Sequence, residues 1–448
     1  MKIPYGKACL ECPSEEILGK PAMRWRGRRS AWQEMEPDQV LEELGETRSC
    51  ACGPRQPPNW EPLSSFFPRA PRHPVLVVPD ATRRGFWQDI LPSLVVDLLM
   101  RWPATELKIL VATGIHAEVS RDDIERHLRF GDHAAPADHD GRQAAASGRI
   151  KIVQHHSDEG NLPVGTTPRG TPVSIDRHYL ESDARILLGG TSYHYFAGFG
   201  GGPKLVFPGL ASRPGILMNH LRALGRGMSG WDPACAPAQI AGNPVAEDIA
   251  EAATLAPPHA VISTLGFGDQ IGVVTMAGRE DWVLSINRCR ALYHRGHRVV
   301  LSAPLQGVIV DAGGYPRDRH LLQVHKSLQH AVRFLRPDGW ILLIGECGEG
   351  FGSAGLLDMV KSLSLRSLSD VTAQEADAGH LQTAVALMTA TGKRRVAFYS
   401  EISGKHPEQI RSLGWQPLAT GRELEAWLRE RSKGSWGWLS EADTVLPQ

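Results

Sequence analysis

Residues 75–83 read Val75-Leu76-Val77-Val78-Pro79-Asp80-Ala81-Thr82-Arg83, a short apolar run that ends in polar residues. The same pattern recurs further along the chain, and helical segments separate the runs. Strands that alternate with helices predict an α/β fold with largely parallel sheets and flanking helices. The other apolar runs are residues 107–112, 150–153 and 185–188.

Polar side chains follow the predicted strands of this sheet. In open parallel sheets, ligands bind beyond the carboxyl ends of the strands. We therefore expect a binding or catalytic site there, although a single histidine at a strand end is also often structural. The roles of His155 and His156 stay open. The polar residues at these ends are Asp80, Arg83, His116, His155, His156 and His194.

The fourth run leads to His194-Tyr195-Phe196-Ala197-Gly198-Phe199-Gly200-Gly201-Gly202-Pro203-Lys204. So many glycines exclude a helix or a strand interior and let bare backbone approach another group closely. The stretch is not a P-loop, because Leu205 stands where that motif needs serine or threonine. We interpret Lys204 as an anchor; the alternative is a surface turn with a solvated lysine.

Composition narrows the class of protein. The chain has 448 residues, which suggests two or three domains, and 42% hydrophobic residues, which is enough for substantial cores. Its 49 basic and 49 acidic residues give a net charge of zero, which argues against nucleic acid or an anionic membrane as main partner. Without a signal peptide or a long apolar span, and with seven cysteines, we expect a cytoplasmic protein.

Two cysteine pairs lie near the N-terminus. Cys9 and Cys12 have the two-residue gap of a zinc half-site, whereas Cys50 and Cys52 have one residue between them. The pairs could form a zinc site together, or all four could be free thiols.

A second α/β unit is predicted from about residue 298. On its first helix Gln323 and Lys326 are three residues apart and therefore share one face, unless Lys326 is simply solvated on the surface. We predict a large lobe of residues 1–297 plus 390–448, a smaller inserted lobe of residues 298–389, and an active site in the cleft between the two lobes.

Gly350-Phe351-Gly352-Ser353-Ala354-Gly355 formally matches the dinucleotide-binding fingerprint. No second strand with an acidic residue follows at the required distance. An NAD-dependent 2-hydroxy-acid dehydrogenase is therefore an alternative function rather than the main prediction.

Taken together, these motifs resemble the nickel-pincer nucleotide-dependent lactate racemase family, from Tyr5-Gly6 to about residue 400. The resemblance implies a racemase or epimerase that inverts C2 of a 2-hydroxy acid by reversible hydride transfer through a 2-keto acid. It also implies cofactor-biosynthesis proteins as partners. A non-catalytic nickel or nucleotide carrier is a further alternative.

The resemblance also implies roles for individual residues. Lys204 would carry the cofactor covalently, His116 and His194 would be the catalytic bases, and His220, sixteen residues beyond the lysine, would bind nickel. Gly242-Asn243-Pro244-Val245-Ala246-Glu247-Asp248 is similar to the family as well, without an assigned role. The implied cofactor-binding residues are Asp80, Gly200, Gly201 and Gly202, and the implied substrate-binding residues are Arg83, Gln323 and Lys326.

The chain departs from the lactate enzymes of that family near the expected substrate. Leu322 replaces a tyrosine, Ile115 replaces a threonine, and no tryptophan occurs between residues 370 and 400. These changes predict a substrate larger than lactate. We expect a malate-like dicarboxylate ahead of a sugar acid because of three nearby cationic groups, Arg317, Arg319 and His320.

Overall fold

The computed structural model describes residues 2–5, 7–11, 23–26, 48–52, 58–83, 85–116, 118, 120–128, 148–267, 271–371, 380–392, 394–431 and 433–448. The strands up to residue 278 are β1 (Lys2–Tyr5), β2 (Ala8–Glu11), β3 (Met23–Arg26), β4 (Arg48–Cys52), β5 (Pro74–Pro79), β6 (Leu107–Ala112), β7 (Ile150–Gln154), β8 (Asn161–Thr166), β9 (Pro172–Asp176), β10 (Ala184–Gly190), β11 (Tyr193–His194), β12 (Gly198–Phe199), β13 (Ala260–Phe267) and β14 (Ile271–Gly278). The later strands are β15 (Arg298–Val299), β16 (Leu305–Asp311), β17 (Leu335–Ile344), β18 (Arg395–Tyr399), β19 (Gln416–Leu418), β20 (Trp436–Ser440) and β21 (Leu446–Pro447).

Helices connect most of these strands. In chain order they are α1 (Glu61–Ser64), α2 (Trp87–Arg101), α3 (Arg121–Leu128), α4 (Arg177–Leu180), α5 (Pro203–Val206), α6 (Arg213–Leu221), α7 (Pro244–Leu255), α8 (Trp282–Gly296), α9 (Leu321–Ala331), α10 (Ala354–Leu365), α11 (Leu381–Thr391), α12 (Glu401–Lys405), α13 (Pro407–Ser412) and α14 (Gly421–Glu430).

The first large sheet has the strand order β4-β14-β13-β10-β5-β6-β7. Its five strands from β13 to β7 are parallel, and β14 is antiparallel to both of its neighbours. The chain proceeds from β5 outward to β6 and β7 and then places β10 on the opposite side of β5. This reversal creates a crevice at the carboxyl ends of β5 and β10, the usual ligand position in such sheets.

Both faces of this sheet are covered. Val75 and Val77 of β5 pack into the core on one face, whereas Leu76 and Val78 pack into the core on the other. All six residues of β5 are buried. A parallel strand covered on both faces reads as a continuous apolar run, which explains the pattern at residues 75–78.

The second large sheet has the order β19-β18-β17-β16-β20-β3, and every pair in it is parallel. We expected residues 390–448 to return to the first lobe, but β18, β19 and β20 hydrogen-bond within this second sheet. Val396 and Phe398 of β18 share one core with Ile341 and Leu343 of β17, so burial of these side chains holds the strand there. The division into two lobes and the cleft between them stay predictions.

Among the described residues, no helix is long and apolar enough to cross a membrane. Cys9 is an exposed free thiol. Cys12 and the side chains of Cys50 and Cys52 lie outside what the structure describes, so the zinc interpretation stays a prediction.

Candidate active site

Three parallel strands deliver polar side chains to the crevice at the strand reversal. Asp80 and Arg83 follow β5, His116 follows β6, and His194 lies shortly after β10. His116 Nδ1 is 2.5 Å from Asp80 Oδ2, and the charge of Arg83 acts on both Asp80 and His194. The fold therefore brings these four residues to neighbouring strand ends, as the sequence predicts.

Asp80 orients His116. The Asp80 side chain is nearly buried, and the backbone N–H and hydroxyl of Thr82 donate to its Oδ1 at 2.8 and 2.6 Å. Burial raises the pKa of Asp80, but the charges of His116 and Arg83 and these hydrogen bonds outweigh it, so the pKa lies well below the ordinary value. An ionised Asp80 accepts from Nδ1–H of His116. When the His116 ring is neutral, this bond leaves the lone pair at Nε2 as its proton acceptor.

The hydrogen bonding of His194 is opposite to that of His116, because its Nδ1 accepts a hydrogen bond instead of donating one. Its ring is buried, and its Nδ1 accepts a hydrogen bond of 3.2 Å from the backbone N–H of Ala197. Burial, followed by the charges of Lys204 and Arg83, lowers the pKa of His194 well below its ordinary value. The imidazole is therefore neutral and carries its hydrogen on Nε2. In this state His116 offers a proton acceptor and His194 offers a donor.

Lys204 lies on the single turn of α5, against the face of an aromatic ring. Its Nζ is 5.5 Å from the centroid of Phe196, and no carboxylate of the described residues pairs with it. Burial, then the charges of Arg83, Lys326 and Arg290, lower the pKa of Lys204 well below its ordinary value. Its amine is therefore neutral near pH 7 more often than a surface lysine, which makes it a better nucleophile.

A pulse of acetic anhydride should acylate Lys204 at lower pH than exposed lysines, because only the neutral amine reacts. Peptide mass spectrometry across a pH series would measure the rate at Lys204, with the exposed Lys361 as internal reference. In an Arg83→Met variant the profile of Lys204 should move to higher pH, since one opposing charge is gone. Identical profiles for Lys204 and Lys361 would contradict the lowered pKa.

His220 lies in the last turn of α6, where Lys204 and His116 act on it. Burial, then the charges of Lys204 and His116, lower the pKa of His220 to about 3. Its ring also meets the ring of Phe196 edge-on at 5.1 Å. His220 is thus a neutral imidazole next to Lys204, the form in which histidine binds metals.

Gln323 and Lys326 occupy one face of α9, as predicted. Lys326 Nζ donates to Gln323 Oε1 at 2.6 Å. Burial, followed by the charge of Arg83, lowers the pKa of Lys326 to about 7, and Lys326 in turn acts on Lys204 and His194. Helix α9 of the second sheet therefore contributes to the same site as the strand ends of the first.

The three cationic groups that suggested a second substrate carboxylate are already compensated or neutral. Arg317 lies 3.4 Å from Glu441 and 3.3 Å from Asp443, and Arg319 lies 2.7 Å from Glu349. Burial, then the charge of Arg319, lowers the pKa of His320 to about 4. The structure thus removes this reason for placing a dicarboxylate first.

The glycines before Lys204 pack against the protein itself. A Cβ on Gly201 would lie 2.4 Å from the carbonyl oxygen of Gly190, and one on Gly202 would lie 2.5 Å from Ile286 Cδ1. Both residues also have positive φ, +72° and +54°. Close packing accounts for glycine at these positions; contact of Gly200, Gly201 and Gly202 with a cofactor stays a prediction.

His155 and His156 differ in their surroundings. His155 is buried, with Nδ1 3.0 Å from Asp176 Oδ2 and Nε2 3.0 Å from the carbonyl oxygen of Ala211. Each ring nitrogen thus lies at hydrogen-bonding distance from an oxygen atom. His155 thereby ties the end of β7 to the residues that begin α6. His156 is partly exposed and pairs with Glu118 at 2.8 Å.

Two histidine rings pack against glycines of the segment that resembles a dinucleotide-binding fingerprint, residues 350–355. A Cβ on Gly352 would lie 2.6 Å from His320 Nδ1, and one on Gly355 would lie 2.5 Å from His380 Cδ2. Glycine at these positions makes room for the two imidazoles, whereas the fingerprint needs it for a pyrophosphate. The segment gives the dehydrogenase alternative no support.

Two aromatic residues beside His194, Phe196 and Tyr195, were given no role in the sequence analysis. The ring of Phe196 meets that of His194 edge-on at 4.6 Å, and the hydroxyl of Tyr195 bonds to the side-chain amide of Gln382 on α11, with Tyr195 Oη 3.4 Å from Gln382 Oε1. Trp231 stacks on Tyr195 at 6.3 Å. The aromatic pair beside His194 was a visible signal, whereas Gln382, 187 positions from Tyr195, offered none.

Known proteins resemble this chain in sequence and in fold. Residues 34–232 match the lactate racemase N-terminal domain. The lactate racemase of Thermoanaerobacterium thermosaccharolyticum is 25% identical over 357 residues, which cover 79% of this chain and 76% of that protein. These matches support assignment of the chain to the lactate racemase family. They likewise support an enzyme of the isomerase/racemase type.

Other lactate racemase relatives extend the comparison. The lactate racemase of Lactiplantibacillus plantarum is 25% identical over 283 residues, covering 63% of this chain and 62% of that protein. The lactate racemase apoprotein structure from T. thermosaccharolyticum has a TM-score of 0.70 and 20% identity, covering 100% of this chain and 99% of that one. A Thermotoga maritima protein has a TM-score of 0.64 and 16% identity, covering 92% and 98%. The family fold therefore extends over the whole chain.

Proposed function

We propose that this protein inverts the configuration at C2 of a 2-hydroxy acid with a nickel-pincer nucleotide attached to Lys204. The observation that supports it most is that Lys204 and His220 both lie against the ring of Phe196, where burial lowers the pKa of each, within the crevice that also holds His116 and His194. A nucleophilic amine and a metal-binding imidazole are the two groups that such a cofactor needs from the protein.

The residues present fit this group. The described residues contain no cluster of three or more histidine, cysteine or acidic side chains that could hold a metal ion alone. A nickel ion bound by His220 would therefore take its other ligands from the cofactor. The guanidinium groups of Arg83 and Arg290 act on Lys204, and this positive charge suits an anionic nucleotide.

When bound, the cofactor would accept a hydride from C2 and return it to either face, which is the chemically difficult part of the reaction. The protein binds the substrate and moves the hydroxyl proton. The guanidinium of Arg83, which no carboxylate of the described residues pairs, can hold the substrate carboxylate in a bidentate manner. Gln323 and Lys326 supply a second polar contact from α9.

The two histidines would handle the proton. His116 accepts the hydroxyl proton at Nε2, and the ionised Asp80 stabilises the resulting imidazolium. His194 donates from Nε2–H to the substrate oxygen on the other side. To act as a base for the second enantiomer, His194 must first exchange the Ala197 hydrogen bond at Nδ1 and expose a lone pair at Nε2.

Racemisation in D2O tests the proposed reaction directly. Hydride transfer returns the original hydrogen to C2, whereas proton abstraction at carbon brings in deuterium from the solvent. We expect protein made together with the cofactor pathway to racemise its substrate with C2–H retained, to carry nickel and to show added mass on Lys204. Deuterium at C2, or full activity with an unmodified Lys204 and no nickel, would overturn the proposal.

The substrate is proposed to be larger than lactate, with an uncharged polar tail. Leu322 is only partly buried and lacks a hydroxyl, and both Arg317 and Arg319 are paired with acids, so neither guanidinium is free for a second carboxylate. Chiral chromatography of lactate, malate, 2-hydroxyglutarate and gluconate would rank them by kcat/KM. We expect gluconate ahead of malate; fastest turnover of lactate would show that the pocket argument is wrong.

A further inference from the structure

The ring of Phe196 touches three of the proposed site residues. It meets the ring of His194 edge-on at 4.6 Å and that of His220 edge-on at 5.1 Å, and Lys204 Nζ lies 5.5 Å from its centroid. The side chain is buried, with 4% exposure. Its position therefore sets the separation between the tether lysine, the metal-binding histidine and the second catalytic histidine.

Asn243 holds Phe196 in place from the start of helix α7. Its Oδ1 accepts from the backbone N–H groups of Val245 and Ala246 at 3.1 Å each, which caps the helix. Its Nδ2 donates to the carbonyl oxygen of Phe196 at 2.9 Å. The side chain is completely buried. One amide thus joins the helix end to the backbone beside His194.

The next turn of the same helix holds the segment that carries His220. Asp248, also completely buried, accepts from Asn219 Nδ2 at 2.8 Å and forms an ion pair with Arg222 at 3.1 Å. Asn219 and Arg222 flank His220 in the sequence. Helix α7 is therefore bonded both to the segment with His194 and Lys204 and to the segment with His220.

We propose that the start of α7, through Asn243 and Asp248, is the positioning element that fixes His220 relative to Lys204 and His194. Neither residue touches the substrate; each acts through a neighbour of a site residue. Fixed geometry matters because a displacement of about 1 Å in an active site can cost roughly a hundredfold in rate. The inference rests on the proposed function where Lys204 and His220 serve one cofactor.

Asn243→Asp separates the bonds that this side chain accepts from those that it donates, to the carbonyl oxygens of Phe196 at 2.9 Å and Gln239 at 3.0 Å. Aspartate caps helices as well as asparagine does, so the bonds to Val245 and Ala246 are kept, but it cannot donate to Phe196. Phe196→Leu removes the ring and keeps apolar bulk, and it provides a second test if the first variant folds poorly. Thr420→Ala is the matched control, because it removes the cap of α14, outside the site.

The first measurement needs no cofactor. In the apoprotein, the acylation profile of Lys204 against pH should shift toward that of the exposed Lys361 in Asn243→Asp and Phe196→Leu, and not in Thr420→Ala. The second uses loaded protein: we expect nickel per tethered chain to fall and kcat to drop about ten- to a hundredfold, with KM changed less than about threefold. The same loss in Thr420→Ala would show a general stability effect and overturn the proposal.

The two measurements separate this proposal from the proposed function. An unchanged Lys204 profile in both folded variants overturns the positioning role, whatever cofactor the protein carries. A shifted profile in variants of a parent protein that carries neither nickel nor added mass on Lys204 supports the positioning role and overturns the cofactor assignment instead.

Discussion

Lys204→Met is expected to abolish racemase activity, to below about a thousandth of the parent rate, because the cofactor that performs the difficult step would have no covalent attachment. Intact mass should show no added group, and nickel should be lost on desalting. Burial and three neighbouring cations all oppose the charge on Lys204, so replacing it with an apolar side chain should not lower the melting temperature.

His220→Asn is the matched comparison for this variant. It should keep the added mass on Lys204 and lose nickel, because the imidazole binds the metal and not the organic part of the cofactor. Normal nickel retention in His220→Asn would remove His220 as the ligand. Wild-type activity in Lys204→Met would remove the tether altogether.

His116→Gln is expected to lower kcat by about 10²- to 10⁴-fold, the usual contribution of a general base. Nickel content and the mass of Lys204 should be unchanged. Because the equilibrium constant fixes the ratio of the kcat/KM values in the two directions, both values must fall equally, and initial rates from each pure C2 isomer would check this. A near-parent rate in either direction would show that His116 is not a base.

His194→Gln distinguishes two roles for the second histidine. If His194 accepts a proton for one enantiomer, its loss should be as severe as that of His116. A loss of only about tenfold would match a hydrogen-bond donor and would contradict the two-base assignment. The donor tautomer seen here, set by the Ala197 N–H, makes this a sharp comparison.

Much of the site could be predicted because local patterns carry it. Apolar runs ending in Asp80, His116 and His194 implied parallel strands, and the rule for strand ends placed their side chains together. Gln323 and Lys326 share a face because helix geometry requires it. These inferences use only short spacings and the alternation of strands and helices.

Other features depend on contacts that short spacings do not reveal. Arg317 looked available for a substrate until Glu441 and Asp443 approached it from the C-terminal segment. The strand at residues 395–399 was assigned to the first lobe, since nothing within it specifies β17 as its neighbour. Asn243 had no role assigned from the sequence, and only the fold brings its amide to Phe196.

In the pairing of β10 with β5, Ala184 lies opposite Pro74, although Pro74 is synthesised much earlier than Ala184. Asp80 and Arg83 emerge early and have no opposite wall until β10 is added to the sheet. Lys326 follows later still, with the second sheet. The crevice is therefore complete only in the finished chain, and the attachment proposed at Lys204 is expected after synthesis.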